Sequence, residues 1–145
     1  LEEEFEGIVQ IDGIDAIITL IEKKLEEVDN AFNYSDEMDP YEYEHFCASE
    51  FKKVGWDAEA TQGSSDQGVD VIAIKDGTTL VAQCKKFVKP VGNKAVQEIT
   101  AGMKYYDASE GIVIAPNGFT NSAEKLAKAN NIKLIHHSEI KEIYN

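Results

Sequence analysis

The residues with the clearest chemical potential are an aspartate, a glutamine and a lysine on two neighbouring apolar runs. Asp70 opens Val71-Ile72-Ala73-Ile74, and Gln83 and Lys85 close Val81-Ala82-Gln83-Cys84-Lys85-Lys86. Both runs have strand length, and Asp76-Gly77 between them is a turn signal. Side chains alternate across a strand, so Gln83 and Lys85 share one face and Cys84 points to the other. A hairpin with Asp on one strand and Gln-x-Lys on the next can hold a divalent cation beside an ammonium. Hard oxygen donors hold such a cation. The cation activates water and polarises a phosphoryl oxygen, and a lysine stabilises charge that develops in the transition state. These parts suit hydrolysis of a phosphodiester. Asp70 would supply a carboxylate, Gln83 an amide oxygen, Cys84 its backbone carbonyl and Lys85 the cation. Glu44 lies beside Cys47 and Phe51 at the edge of an apolar stripe. It would turn toward the sheet as a direct or outer ligand.

Hydrophobic periodicity supplies the frame for those residues. Ile14, Ile17, Ile18, Ile21, Leu25 and Val28 recur at helical spacing, which predicts an amphipathic helix over 14–28. This stripe suits core packing or contact with a second copy or a partner domain. Residues 29–39 are polar and acidic and read as a linker. Asp39-Pro40-Tyr41-Glu42 is a helix start, with Asp as cap, Pro first in the helix and Glu third. Tyr43, Phe46, Cys47, Phe51 and Val54 form that helix's buried stripe, and Gly55 ends it. Strands are expected over 56–61, 69–75 and 79–86, with a loop of Gly and small polar residues over 62–68. Lys89-Pro90-Val91-Gly92 breaks the pattern. Then come a helix over 95–106, a strand over 111–115, a helix over 121–130, a strand over 132–136 and a short helix over 139–144. The order is α-β-β-β-α-β-α-β-α. It predicts an α/β fold in which a meander feeds βαβ units, hence a mixed sheet with helices on both faces. Two parts follow: 1–38, an acidic helical segment and linker, and 39–145, which holds the candidate site.

Composition narrows the function classes. The 145 residues suffice for a core, and 43% hydrophobic content excludes a disordered chain. No apolar run reaches the roughly 18 residues that a membrane span needs, so no membrane is expected as a partner. The acidic start Leu1-Glu2-Glu3-Glu4 is no signal peptide, and the missing initiator Met points to a fragment or a processed product. Cys47 and Cys84 lack metal-ligand spacing and make no disulfide framework, so a reducing cytoplasm is the expected setting. The net charge of -13 is unevenly spread: residues 1–44 hold 15 acidic residues and 2 lysines, and residues 45–145 hold 12 of each. The acidity is thus an N-terminal property. Every basic residue is Lys. Base reading in the major groove leans on bidentate Arg, so this chain is not expected to read sequence. Lys86, Lys89 and Lys94 follow the candidate site and could neutralise phosphates.

Taken together, the motifs resemble the Mrr-like restriction endonuclease catalytic domain. They are Tyr43-Glu44 on a helix, Gly55-Trp56, Ser65-Asp66-Gln67-Gly68-Val69-Asp70-Val71-Ile72-Ala73 and Gln83-Cys84-Lys85-Lys86. Gly118-Phe119-Thr120 with Ala123 and Ala127, and the ending Ile132-Lys133-Leu134-Ile135, match as well. The resemblance covers about residues 40–143 and leaves out the acidic N-terminus. It implies the restriction-endonuclease-like (PD-D/E-x-K) fold and cutting of DNA with Mg²⁺, with Mn²⁺ able to substitute. Position by position, it implies Asp70 as the metal-binding carboxylate and Lys85 as the catalytic lysine. Gln83 takes the place usually held by Asp or Glu, and Glu44 is the helix-borne acid. One position departs: many such sequences read Asp-Gly-Gly where this one has Asp66-Gln67-Gly68. A restriction or DNA-defence role follows from the resemblance. So do a homodimer for cutting both strands and a separate DNA-targeting domain that is not visible here.

Other readings of the same residues compete. The domain could bind nucleic acid or act as a scaffold on this fold without catalysis. A flavodoxin-type domain would need a phosphate loop after its first strand, and residues 62–68 are a poor one. Residues 1–38 could mimic DNA or hold the site closed, against the plainer reading of a solvated helix that packs on the core or on a second copy. Asp66 reads as a loop-shaping residue, Gln97 as solvated, and the Cys84 side chain as core packing. His45, His136 and His137 are assigned no role.

Overall fold

The computed structural model describes residues 13–25, 33–61 and 68–145. The expectations for Val28, for residues 26–32 and for residues 62–67, Asp66 included, lie outside the described residues. The chain divides into two compact units, Leu1–Asn33 and Tyr34–Asn145. In the first, residues 13–25 form helix α1. Ile14, Ile18, Ile21 and Leu25 on it are exposed.

The second unit holds helix α2 (Pro40–Lys53), strands β1 (Asp57–Ala60), β2 (Val71–Lys75) and β3 (Thr78–Cys84), helix α3 (Asn93–Tyr105), β4 (Glu110–Ile114), α4 (Asn121–Ala129), β5 (Lys133–Ile135) and α5 (Ile140–Ile143). Local chemistry fixes most boundaries. The Asp39 side chain accepts from the Glu42 N–H at 2.7 Å, with Pro40 just inside the helix. Gly55 follows with φ +92°, a left-handed conformation that suits glycine at a helix end. Asp76 and Gly77 both have positive φ and close the β2–β3 hairpin. Thr120 caps α4 through the Ala123 N–H at 3.1 Å.

The sheet order is β1-β2-β3-β4-β5. β1, β2 and β3 run antiparallel in succession, whereas β4 joins β3 and β5 joins β4 in parallel. The mixed sheet is the one expected, and its antiparallel meander rules out the flavodoxin-type alternative, whose sheet is parallel throughout. Alternation along β3 sorts the two cores. Leu80, Ala82 and Cys84 pack with Tyr43, Phe46, Cys47 and Phe51 of α2, together with Ile140 and Tyr144. Val81 packs with Val96 and Ile99 of α3 and with Ala123 and Ala127 of α4. α3 and α4 lie on one face, as same-handed βαβ crossovers in one direction require, and α2 and α5 lie on the other. Each fully buried large apolar side chain contributes about 1.5–3 kcal/mol. Two such layers hold β2 and β3 rigidly between them. Tyr34 and Met38 pack against the α2 core as well.

Candidate active site

Asp70 sits just before β2, at the end of the sheet where β3 hands over to the α3 crossover. Its backbone is pinned from both sides. Its N–H donates to the Ala82 carbonyl at 2.8 Å, and its own carbonyl accepts from the Thr61 N–H at 2.8 Å. The side chain is 6% exposed. Its Oδ2 accepts from the Cys84 N–H at 2.8 Å, which ties the carboxyl to the strand that bears Gln83 and Lys85. Burial raises the Asp70 pKa, opposed by the Cys84 N–H and the Lys85 charge.

Glu44 approaches from α2 and is half-buried. Its carboxyl lies within the electrostatic reach of Asp70. Its pKa is pushed up to about 7, first by burial and then by the Asp70 charge, with Lys85 opposing. Two ionised acids repel in a partly dry site, which keeps the Glu44 carboxyl protonated to higher pH than a free one.

Gln83 points to the α3 face and is 1% exposed. Its Nε2 donates to the Gly68 carbonyl at 3.1 Å and to Glu98 Oε2 at 2.6 Å. Its Oε1 is buried and finds no donor among the described residues. An amide oxygen in that state leaves a coordination or hydrogen-bonding need unmet. The residues therefore fit a hard cation: a carboxylate at Asp70, a neighbouring one at Glu44, and an uncommitted amide oxygen at Gln83. Among the described residues no three His, Cys, Asp or Glu side chains are grouped so that they could hold a metal ion. Cys84 packs its side chain into the α2 core, as expected, and leaves only its backbone near the site.

Lys85 follows β3 directly, and its N–H donates to the Ile114 carbonyl at 2.8 Å. Its Nζ lies 3.9 Å from Glu98 Oε2 and 5.7 Å from the Phe87 ring centre. The structure therefore gathers Glu44, Asp70, Gln83, Cys84 and Lys85 at one end of the sheet. The three lysines read as phosphate contacts are arranged differently. Lys86 Nζ donates to the Asp36 carbonyl at 2.6 Å, Lys94 Nζ lies 3.8 Å from Glu98 Oε1, and Lys89 is exposed.

Sequence reasoning missed Glu98 and weighed its neighbour Gln97 instead. Gln97 is exposed, while Glu98 is half-buried and touches both Gln83 and Lys85. The signal was present in the helical wheel. Gln97 lies about 160° from the centre of the Ala95, Val96, Ile99, Gly102 and Met103 stripe, whereas Glu98 lies about 100° away, at its edge.

Fold and site define an α/β domain of restriction-endonuclease type. The Mrr_cat family model, restriction endonuclease, matches residues 35–144, and the chain belongs to that family. No curated protein matches it. Among solved structures, the protein of unknown function AF1548 is similar at TM-score 0.58 and 23% identity, over 69% of this chain and 59% of that one. Protein VC1899 from Vibrio cholerae is similar at TM-score 0.53 and 12% identity, over 70% of this chain and 31% of that one. The MspJI restriction endonuclease, solved with a 27-mer oligonucleotide, is similar at TM-score 0.55 and 15% identity, over 79% of this chain and 29% of that one. At these identities the likeness is one of fold. This chain spans less than two thirds of the length of each of these proteins.

Proposed function

We propose that residues 39–145 form a metal-dependent endodeoxyribonuclease domain that hydrolyses DNA phosphodiesters in a restriction or DNA-defence system. The observation that carries this reading is the buried, unpartnered Oε1 of Gln83 on the strand that anchors the Asp70 carboxyl, with the Lys85 ammonium following on the same strand face. Asp70, Gln83 and the Cys84 carbonyl would hold Mg²⁺, or Mn²⁺ in its place, with Glu44 as a further acid. A bound cation of this kind lowers the pKa of water and polarises a phosphoryl oxygen.

The chain's own groups do the remaining work. Asp70 is ordered before any ligand arrives, because Cys84 N–H and the flanking strands fix it. Glu44 holds a proton near neutrality and gives it up when the site charges. Lys85 is rooted at the end of the parallel β3–β4 ladder and extends its ammonium to the same sheet end. There it would orient the attacking water or stabilise charge on the phosphoryl oxygens. Lys89, with Lys86 and Lys94, would add phosphate contacts whose strength falls with salt.

Residues 1–38 are an accessory segment in this reading. Double-strand cutting would take two copies of the chain, and targeting would come from a separate domain. Two buried free cysteines fit a reducing, cytoplasmic setting. No described helix is long and apolar enough to cross a membrane. The test is incubation of the purified chain with supercoiled plasmid in Mg²⁺ and in EDTA. Nicking or linearisation in Mg²⁺ alone is expected. DNA retention without cutting in either condition would overturn the nuclease reading in favour of a binding or scaffolding role.

A further inference from the structure

Gln83 poses a problem that its place in the site makes acute. An amide has one oxygen and one NH₂ of nearly equal size, and only the oxygen can face a cation. A carboxylate at this position would present oxygen either way. With glutamine, something must decide which end faces the site.

The surroundings of Nε2 decide it. Two acceptors converge there, Glu98 Oε2 at 2.6 Å and the Gly68 carbonyl at 3.1 Å. Turning the amide over would set its oxygen against a carboxylate and a carbonyl and leave both without a donor. The 2.6 Å bond is short, as expected where the acceptor is charged. Glu98 is itself held: Lys85 Nζ lies 3.9 Å from Oε2 and Lys94 Nζ lies 3.8 Å from Oε1. The loop residue is fixed against the same helix turn. A Cβ on Gly68, whose φ is +74°, would come within 3.0 Å of both Cβ and the backbone oxygen of Glu98. Glycine is thus needed where this loop carbonyl reaches Nε2.

We propose that Glu98 is the positioning residue of this site. It accepts from Gln83 Nε2, turns Oε1 toward the metal position, and holds the Lys85 ammonium at the same edge. In this arrangement the acid function that a carboxylate on β3 would supply is split between two residues. Gln83 provides the oxygen, and Glu98 provides the acceptor that orients it. The inference rests on the metal-site reading of Asp70 and Gln83 and adds a residue that lies outside the Asp70–Gln83–Lys85 hairpin.

The test uses the full chain with three variants: Glu98→Ala, Glu98→Gln and Asp70→Ala. Two readouts are taken besides activity. The first is Mn²⁺ affinity by calorimetry. The second is the Gln83 side-chain NH₂ resonance pair by NMR without metal, assigned through Gln83→Ala. Glu98→Gln keeps an acceptor oxygen opposite Nε2, whereas Glu98→Ala removes it. The expected result is Mn²⁺ binding weakened about 10- to 100-fold in Glu98→Ala, as for other residues that orient metal ligands. Glu98→Gln should recover most of that loss. The Gln83 NH₂ pair should shift strongly in Glu98→Ala and less in Glu98→Gln. Parent-like Mn²⁺ affinity and NH₂ shifts in Glu98→Ala would overturn the proposal. Equal loss of Mn²⁺ in both Glu98 variants and Asp70→Ala would also overturn it, because Glu98 would then be a ligand. A parent that binds no Mn²⁺ would sink the metal-site reading itself. The metal-free NH₂ shifts still report whether Glu98 holds the amide, so the two failures are distinguishable.

Discussion

Glu44 and Asp70 bring two carboxyl groups into one half-dry corner, and the cost of ionising both shapes how the site responds to pH. The Glu44 pKa is pushed up to about 7, and that of Asp70 is raised as well. A cation bound here would displace the Glu44 proton, so Mg²⁺ affinity should climb as pH rises toward about 7 and flatten above it. Calorimetry in buffers of different ionisation enthalpy should show proton release on binding below pH 7, and Glu44→Gln should reduce it. Stability runs in the opposite sense. The native state holds the Glu44 proton more tightly than the unfolded chain does. The associated stability is therefore complete below about 4.5 and is lost as pH rises through about 7. Without metal, Glu44→Gln should unfold at a higher temperature than the parent at pH 8, with the gap closing by pH 4.5. Release of no proton, or a gap that does not depend on pH, would show that Glu44 does not hold its proton toward neutrality. The placing of Asp70 beside the strand of Gln83 and Lys85 was legible in the sequence because a short hairpin joins the two. Glu98 was not, because it reaches the site only through the packing of α3 on the sheet, which strand alternation does not report.

At the scale of elements, the fold was readable where each segment carries its own stop signal. Asp39-Pro40, Gly55 and Asp76-Gly77 all fall at observed boundaries. The start of α3 was read two residues late, at 95 rather than Asn93. The reason is physical: Gly92 precedes the helix without a side-chain cap, so the sequence gives no signal there. The C-terminal stretch was read as one helix over 139–144, but it begins as a 3₁₀ turn at His137–Glu139 and passes into α5. This segment locks α2 in place. Tyr43 OH and His137 Nδ1 are 2.9 Å apart and buried. Burial lowers the His137 pKa to about 4, so the native state refuses a proton that the unfolded chain accepts below about 6.5. This contribution to stability is present above pH 6.5 and is lost as pH falls toward 4. Tyr43→Phe leaves the ring nitrogen without its partner and should cost about 1–3 kcal/mol, measured by urea unfolding at pH 7.5. An unchanged midpoint would mean that this contact does not tie the C-terminus to α2.

For the molecule as a whole, the charge map and the compact units overlap only in part: residues 1–33 hold 10 acidic residues and 2 lysines, and residues 34–145 hold 17 and 12. The acidic excess lies in residues 1–44, while residues 45–145 balance. The unit Tyr34–Asn145 carries the five-stranded sheet, both cores and every candidate site residue. A chain beginning at Tyr34 should therefore fold alone, with a melting temperature within about 4 °C of the parent, a shift that corresponds to less than about 1 kcal/mol at this size. It should bind Mn²⁺ as the full chain does. Loss of cooperative unfolding on deletion of residues 1–33 would show that the first unit completes the fold. Composition alone would have hidden this division, since a net charge of -13 read as a single number argues against any nucleic-acid role.

In the proposed function, Asp70 and Lys85 serve phosphodiester hydrolysis at one site. The most direct measurement is the single-turnover rate of plasmid cleavage in Mg²⁺ by the parent, Asp70→Ala and Lys85→Ala, with near-ultraviolet circular dichroism confirming that both variants are folded. The expected result is cleavage by the parent and a fall of at least about 100-fold in each variant, the scale at which removal of one such charge-stabilising group acts. Cleavage by a folded Lys85→Ala or Asp70→Ala at the parent's rate would contradict it.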